Sequence, residues 1–186
     1  MDLTIVTSII APASALLGVA LASRSQLRTV REAQAAQFHV ETMKLNASVK
    51  EKHRAEVIAN YIEVHKALSY LTREYSFTSM DIMVRAGISE EKFDRKYLIS
   101  CERLDGARAL VEMHFAEIFK PVDEIYAQMN IFWGNFKEAL NKIKAEKAYA
   151  EYEAVIDKAR QSSLAITECA QIAKRKLNGL ASEIVN

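Results

Sequence analysis

Proline occurs only twice in this 186-residue chain, at Pro12 and Pro121, and the interval between Gly18 and Gly87 holds neither glycine nor proline. An interval that long without helix breakers permits one uninterrupted helix and leaves little room for tight turns. Cysteine is equally sparse. Cys101 and Cys169 do not make a disulfide framework, which excludes a small cross-linked secreted scaffold and suits a reducing compartment. Alternating β-branched and aromatic runs of the strand-forming kind are nearly missing. There is no glycine-rich phosphate loop, no His-Glu-x-x-His pair and no nucleophile elbow. The four histidines, His39, His53, His65 and His114, are dispersed, and none stands in the Glu-x-x-His pattern of di-iron bundles. No metal, cofactor or catalytic residue is expected, and the chain does not read as an enzyme.

Charge is absent from residues 3–22, LTIVTSIIAPASALLGVALA. As a helix this run is about 30 Å long, the thickness of a bilayer core. Arg24, Arg28 and Arg31 follow it, whereas only the amino terminus and Asp2 precede it. The basic flank is expected to stay in the cytoplasm, giving a single-pass inner (plasma) membrane protein with its N-terminus outside. A cleaved signal peptide is the competing reading, with Ala20-Leu21-Ala22 as its cleavage site. The missing basic n-region and the long apolar core favour a retained anchor over 1–23, with residues 24–186 forming the cytoplasmic part.

Small residues fall along one side of that run. Thr4, Ser8, Ala11, Ala15, Gly18 and Ala22 follow one another at steps of four and three, the spacing of a supercoiled seam. In lipid, helices associate by close packing, so this seam predicts contact with another helix, most simply that of a second copy in a homo-oligomer. Alanine and serine used as filler is the plain alternative. Thr7 and Ser14 either line a narrow wet path in a ring of copies or bond back to their own helix. Pro12 is expected to make a fixed kink.

Beyond the arginines the apolar pattern is thin, then firm. Val49, Val57, Tyr61, Val64, Leu68, Leu71 and Tyr75 mark a buried face, with Ile58 and Ile62 beside it. The spacing predicts that this helix ends within Ser76–Met80, that a short helix spans about Asp81–Ala86, and that Gly87 terminates it. Ser89 should cap a helix carrying Glu90 and Glu91 in its first turn and running to about Lys120. Pro121 suits the first turn of the next helix or a kink. A stripe of Phe115, Phe119, Val122, Tyr126, Met129, Trp133, Phe136, Leu140 and Ile143 crosses it, so Phe132 is expected off the stripe and exposed. A last apolar series runs from Ala148 to Ile184, a phase shift after Ile143 being its only interruption. The fold expected is all-α, an N-terminal transmembrane helix continuing into an antiparallel three- or four-helix bundle.

The net charge of +1 conceals an asymmetry. From Arg24 to Arg54 seven basic residues face three acidic ones, Glu32, Glu41 and Glu51. Lys44, Lys50, Lys52 and Arg54 lie up to roughly 45 Å from the headgroups along a straight helix, beyond the surface potential. They are candidates for binding an anion such as a nucleotide or oligonucleotide, or an acidic neighbour, against the plain reading of a solvated face. The aromatics Phe132, Trp133, Tyr126 and Phe136 read as core before they read as a base-stacking platform.

The span at 3–22, the arginines at 24, 28 and 31, and the segment EKHRAEVIANYIEVHKALSYL at 51–71 give a layout that resembles small bacterial single-span membrane proteins with a cytoplasmic helical bundle, some of them membrane effectors of anti-phage defence. The resemblance implies self-assembly, a cytoplasmic sensing bundle and membrane disruption. It makes an oligomeric pore the first expectation and a non-conducting anchor or scaffold for a partner protein the second.

Overall fold

The computed structural model describes the backbone of residues 3–185 and the side chains of residue 19 and residues 22–180, and no strand occurs among them. Five α-helices follow in order: α1 Leu3–Glu74, α2 Phe77–Arg85, α3 Glu90–His114, α4 Phe119–Lys144 and α5 Tyr149–Val185. The chain divides into two units, Met1–His53 and Arg54–Asn186.

The first unit is a stretch of α1 whose side chains are exposed at every position from 22 to 53. Val49, expected on a buried face, is 57% exposed because no second helix lies alongside it within the unit. Among the described residues no helix is long and apolar enough to cross a membrane. The expected span at 3–22 lies outside the described side chains except for Val19 and Ala22.

The second unit is a bundle of four long helical segments. Tyr61 on α1 donates to Asn178 Oδ1 on α5 at 2.7 Å, while Ser163 farther back on α5 donates to the carbonyl of Tyr75 just after α1. The same opposed order joins α1 to α3, through the Glu74–Lys96 ion pair and the Arg103 guanidinium 4.0 Å from the Tyr70 ring. Arg108–Asp123 and Asp94–Trp133 join α3 to α4, and Lys142 reaches the Glu151 carbonyl on α5 at 3.1 Å. Each helix is therefore antiparallel to both neighbours, and the ring closes between α1 and α5.

Val64, Leu68, Leu71, Leu104, Val111, Ile125, Met129, Phe136, Ile166 and Leu177 fill the centre with no exposed surface. The most extensive contact between helices is that of α4 with α5. Small buried residues on α5, Ala159, Ser162, Ser163, Ala170 and Ala173, let the two helices share it.

Local chemistry sets the ends. Ser76 and Ser89 cap α2 and α3, accepting from Ser79 N at 3.2 Å and Lys92 N at 3.3 Å. Gly87 takes φ +56, with Gly87 N bonded to Val84 O and Ile88 N to Met83 O, the double bond of a left-handed helix terminator. Helix α2 thus begins four residues before Asp81, because Ser76 rather than a later residue supplies the cap. Helix α3 stops at His114 instead of near Lys120, where buried Phe115 and Ile118 plug a one-turn 3-10 segment, Ala116–Ile118. Pro121 then sits in the first turn of α4.

The phase shift after Ile143 is a full chain reversal. Glu146 N bonds to Ile143 O and Lys147 N to Lys142 O, repeating the α2 terminator with glutamate, at φ +53, in the glycine place. The aromatic stripe also moves. Phe132 is 1% exposed and Tyr126 36%, since the buried row of α4 is Val122, Ile125, Met129, Phe132, Phe136 and Ala139. Tyr126 and Trp133 stand at its edge, where a ring keeps its apolar body in contact and its polar tip accessible.

Phe132→Ala should cost about 3–5 kcal/mol in denaturant unfolding, and Tyr126→Ala much less. Equal costs would contradict the buried row. Glu146→Gly should stabilise the fold by about 1 kcal/mol, since an exposed L-residue gives up its left-handed strain there. The same unfolding curves read it.

Candidate functional site

The sequence singles out a basic stretch, and helical spacing decides whether it converges. Lys44, Lys50 and Lys52 are exposed on the first unit. Lys44 and Lys52, eight residues apart, lie on adjoining sides of the helix, whereas Lys50 falls across the axis from Lys52 and a third of a turn from Lys44. Arg54 belongs to the second unit and is half-buried. The first unit thus offers a distributed positive surface rather than a pocket, suited to an extended anion more than to a compact one. Of the seam, Ala22 is exposed on α1, and Thr4, Ser8, Ala11, Ala15 and Gly18 lie outside the described side chains.

The bundle gathers a second charged group that spacing within the sequence does not reveal. Asp94 on α3 accepts from Trp133 Nε1 at 3.0 Å and from Lys137 Nζ at 3.0 Å, and Lys137 also pairs with Glu90 at 2.6 Å. The Lys137 ammonium lies 4.9 Å from the centre of the Trp133 ring. Its hydrogen bond to Asp94 is the main cause holding the Asp94 carboxyl below its usual range, and the bond to Glu90 leads those that raise Lys137. Every charge in the group has a partner, so it fastens α3 to α4 rather than presenting a reactive base.

Tyr97 meets the Trp133 ring at a 30° tilt with centroids 5.2 Å apart and donates to Asn130. Loss of solvent raises the Tyr97 phenol above its ordinary range, and burial does the same to Tyr75. Both stay protonated donors throughout the physiological range. Burial likewise raises the Cys169 thiol, which keeps it from acting as a ready nucleophile. Among the described residues no three histidine, cysteine or acidic side chains converge to hold a metal.

An open cleft of about 360 Å³ lies among aromatic residues of the bundle. Phe77 and Met80 of α2 face Tyr149, Tyr152 and Arg160 of α5 across it, with Phe136 at its floor. Tyr149 and Tyr152 meet edge to face at 5.2 Å, and Arg160 is held by Asp157 at 2.9 Å. Sequence reasoning missed this cleft because it forms between helices separated by some seventy positions. Its one visible trace is the helical spacing of Tyr149, Tyr152, Ile156 and Arg160.

Acid should report the α3–α4 group through the single tryptophan. Because Asp94 titrates lower in the folded state, its contribution is present above the unfolded carboxyl value and is lost as pH falls through the lower folded one. Trp133 emission should therefore change with a midpoint below pH 3.8, and Asp94→Asn should abolish that step. A midpoint at or above the ordinary aspartate value would show that Lys137 does not hold the carboxylate.

No family model, no curated protein and no solved structure matches this chain.

Proposed function

We propose that this protein is an oligomeric membrane effector or pore of the inner membrane, anchored by residues 3–22 with its N-terminus outside, and that an anionic signal such as a nucleotide or oligonucleotide controls it in bacterial anti-phage defence. The observation carrying the reading is the uncharged run at 3–22 followed at once by Arg24, Arg28 and Arg31. Two features support it. The first unit leaves its basic side chains exposed, where an anion can reach them. The second unit pairs Lys137 with Glu90 and Asp94 and holds the Cys169 thiol high by burial, which suits a sensing or assembling body better than a catalyst.

The runner-up is a non-conducting anchor or scaffold for a partner protein. The separation of Lys50 from Lys52 around the helix favours it, because a compact anion meets no converging donors there.

Expression should collapse the membrane potential, read with a potential-sensitive dye, and the protein should remain in the membrane fraction after a carbonate wash. Lys44→Glu with Lys52→Glu leaves the bundle untouched. The double variant should suppress the depolarisation and lower the log–log salt slope of oligonucleotide binding by about two. A membrane-bound protein that never depolarises cells identifies the scaffold; a protein released by carbonate removes the anchor.

A further inference from the structure

The first unit carries an apolar row whose period differs from that of the small residues before it. Leu27, Val30, Phe38, Leu45 and Val49 are exposed by 58, 52, 72, 64 and 57%. Leu27, Phe38 and Val49 recur at intervals of eleven, Leu45 stands eleven after Gln34, and Val30 eleven before Glu41. An eleven-residue repeat gives 3.67 residues per turn, so these positions form a nearly straight row along α1 that favours a slight right-handed supercoil. The five apolar side chains of this row outnumber those on the opposite side, where Val40 and Met43 are exposed by 48 and 60%.

We propose that a second copy of this chain covers the row, the two first units pairing side by side, parallel and in register. A partner helix must carry the same eleven-residue spacing over more than twenty residues, and a second copy does so by identity. The area is sufficient. Five side chains of this size contribute on the order of 500 Å² per copy, and the stems of flanking Arg31 and Lys52 carry the total toward the roughly 800 Å² per partner of a stable interface. Between Leu27 and Val49 the polar positions of the row are Gln34 and Glu41, and Lys52, eleven beyond Glu41, ends it. Paired Gln34 amides each bring a donor and an acceptor. Glu41 accepts from Gln37 Nε2 at 3.1 Å, and Lys44, one turn on, supplies a cation beside the paired carboxylates. The parallel direction rests on the proposed anchoring of both copies in one bilayer; the use of this row does not.

The test uses the full chain in detergent micelles, with Cys101→Ala and Cys169→Ala and helicity checked by circular dichroism. Single cysteines at Leu27, Phe38 and Leu45 should form interchain disulfides under mild oxidation at least five times faster than cysteines at Ala36 and Met43, which lie on the opposite side. Phe38→Glu in the native-cysteine chain should shift sedimentation toward monomer without loss of helicity. Faster crosslinking at Ala36 and Met43, which continue the spacing of Thr4 to Ala22, would overturn the row while leaving self-association intact. Crosslinks in a Leu27→Cys and Val49→Cys mixture, but none in Leu27→Cys alone, would reverse the direction and with it the shared bilayer. No crosslink at any position would overturn pairing and the oligomeric reading together.

Discussion

Close contact between α4 and α5 holds the bundle's other helices in place. It depends on size: Ala159, Ser162, Ser163, Ala170 and Ala173 present small side chains on the buried face of α5, which lets the two helices share their extensive contact. Tyr75 meets Phe132 edge to face at 4.9 Å, and Phe93 meets Phe136 at 5.6 Å, so α1 and α3 are seated on rings that the α4–α5 pair has already fixed. A bulky residue at Ala170 or Ala173 would separate the pair and unseat both. The buried hydroxyl of Ser163 fits the same scheme, since it satisfies the Tyr75 carbonyl at a point where water is excluded.

The all-α architecture was legible in the sequence wherever a residue acts on its own neighbours. Ser89, Glu90 and Glu91 announce a helix start, Gly87 a left-handed end and Pro121 a first turn, and each does that work over three or four positions. Val57, Val64, Leu68, Leu71 and Tyr75 read correctly as a buried face because one side of α1 is buried and the other is not. The reversal at Glu146 was hidden, since the left-handed position lacks the glycine that would mark it. Phe132 was misplaced for a different reason. In an aromatic-rich helix two adjacent rows satisfy the same period, and contacts with α1 and α3 decide between them.

The candidate site divides along the same line. Lys44, Lys50 and Lys52 are visible as a charge excess, yet their distribution around the helix emerges only when the helical twist is imposed. Asp94, Trp133 and Lys137 carry no local signature, because two of the three contacts cross between α3 and α4. Internal pairing of this kind is expected of surfaces that hold helices in place. The cations of the first unit stand exposed along a single helix, and that difference in surroundings separates the two sets of charges.

The ring of helices has one seam unlike the others. Consecutive helices meet through very short connections, whereas α1 and α5 come together from chain positions more than eighty residues apart, as in the Ser163–Tyr75 contact. The Ser163–Tyr75 contact closes a loop of 88 residues, against 22 for Glu74–Lys96 between α1 and α3, and so carries the larger entropic cost. The α1–α5 seam is consequently the contact whose closure asks the most of the chain's conformational entropy, and the one in the ring that no short connection helps to hold.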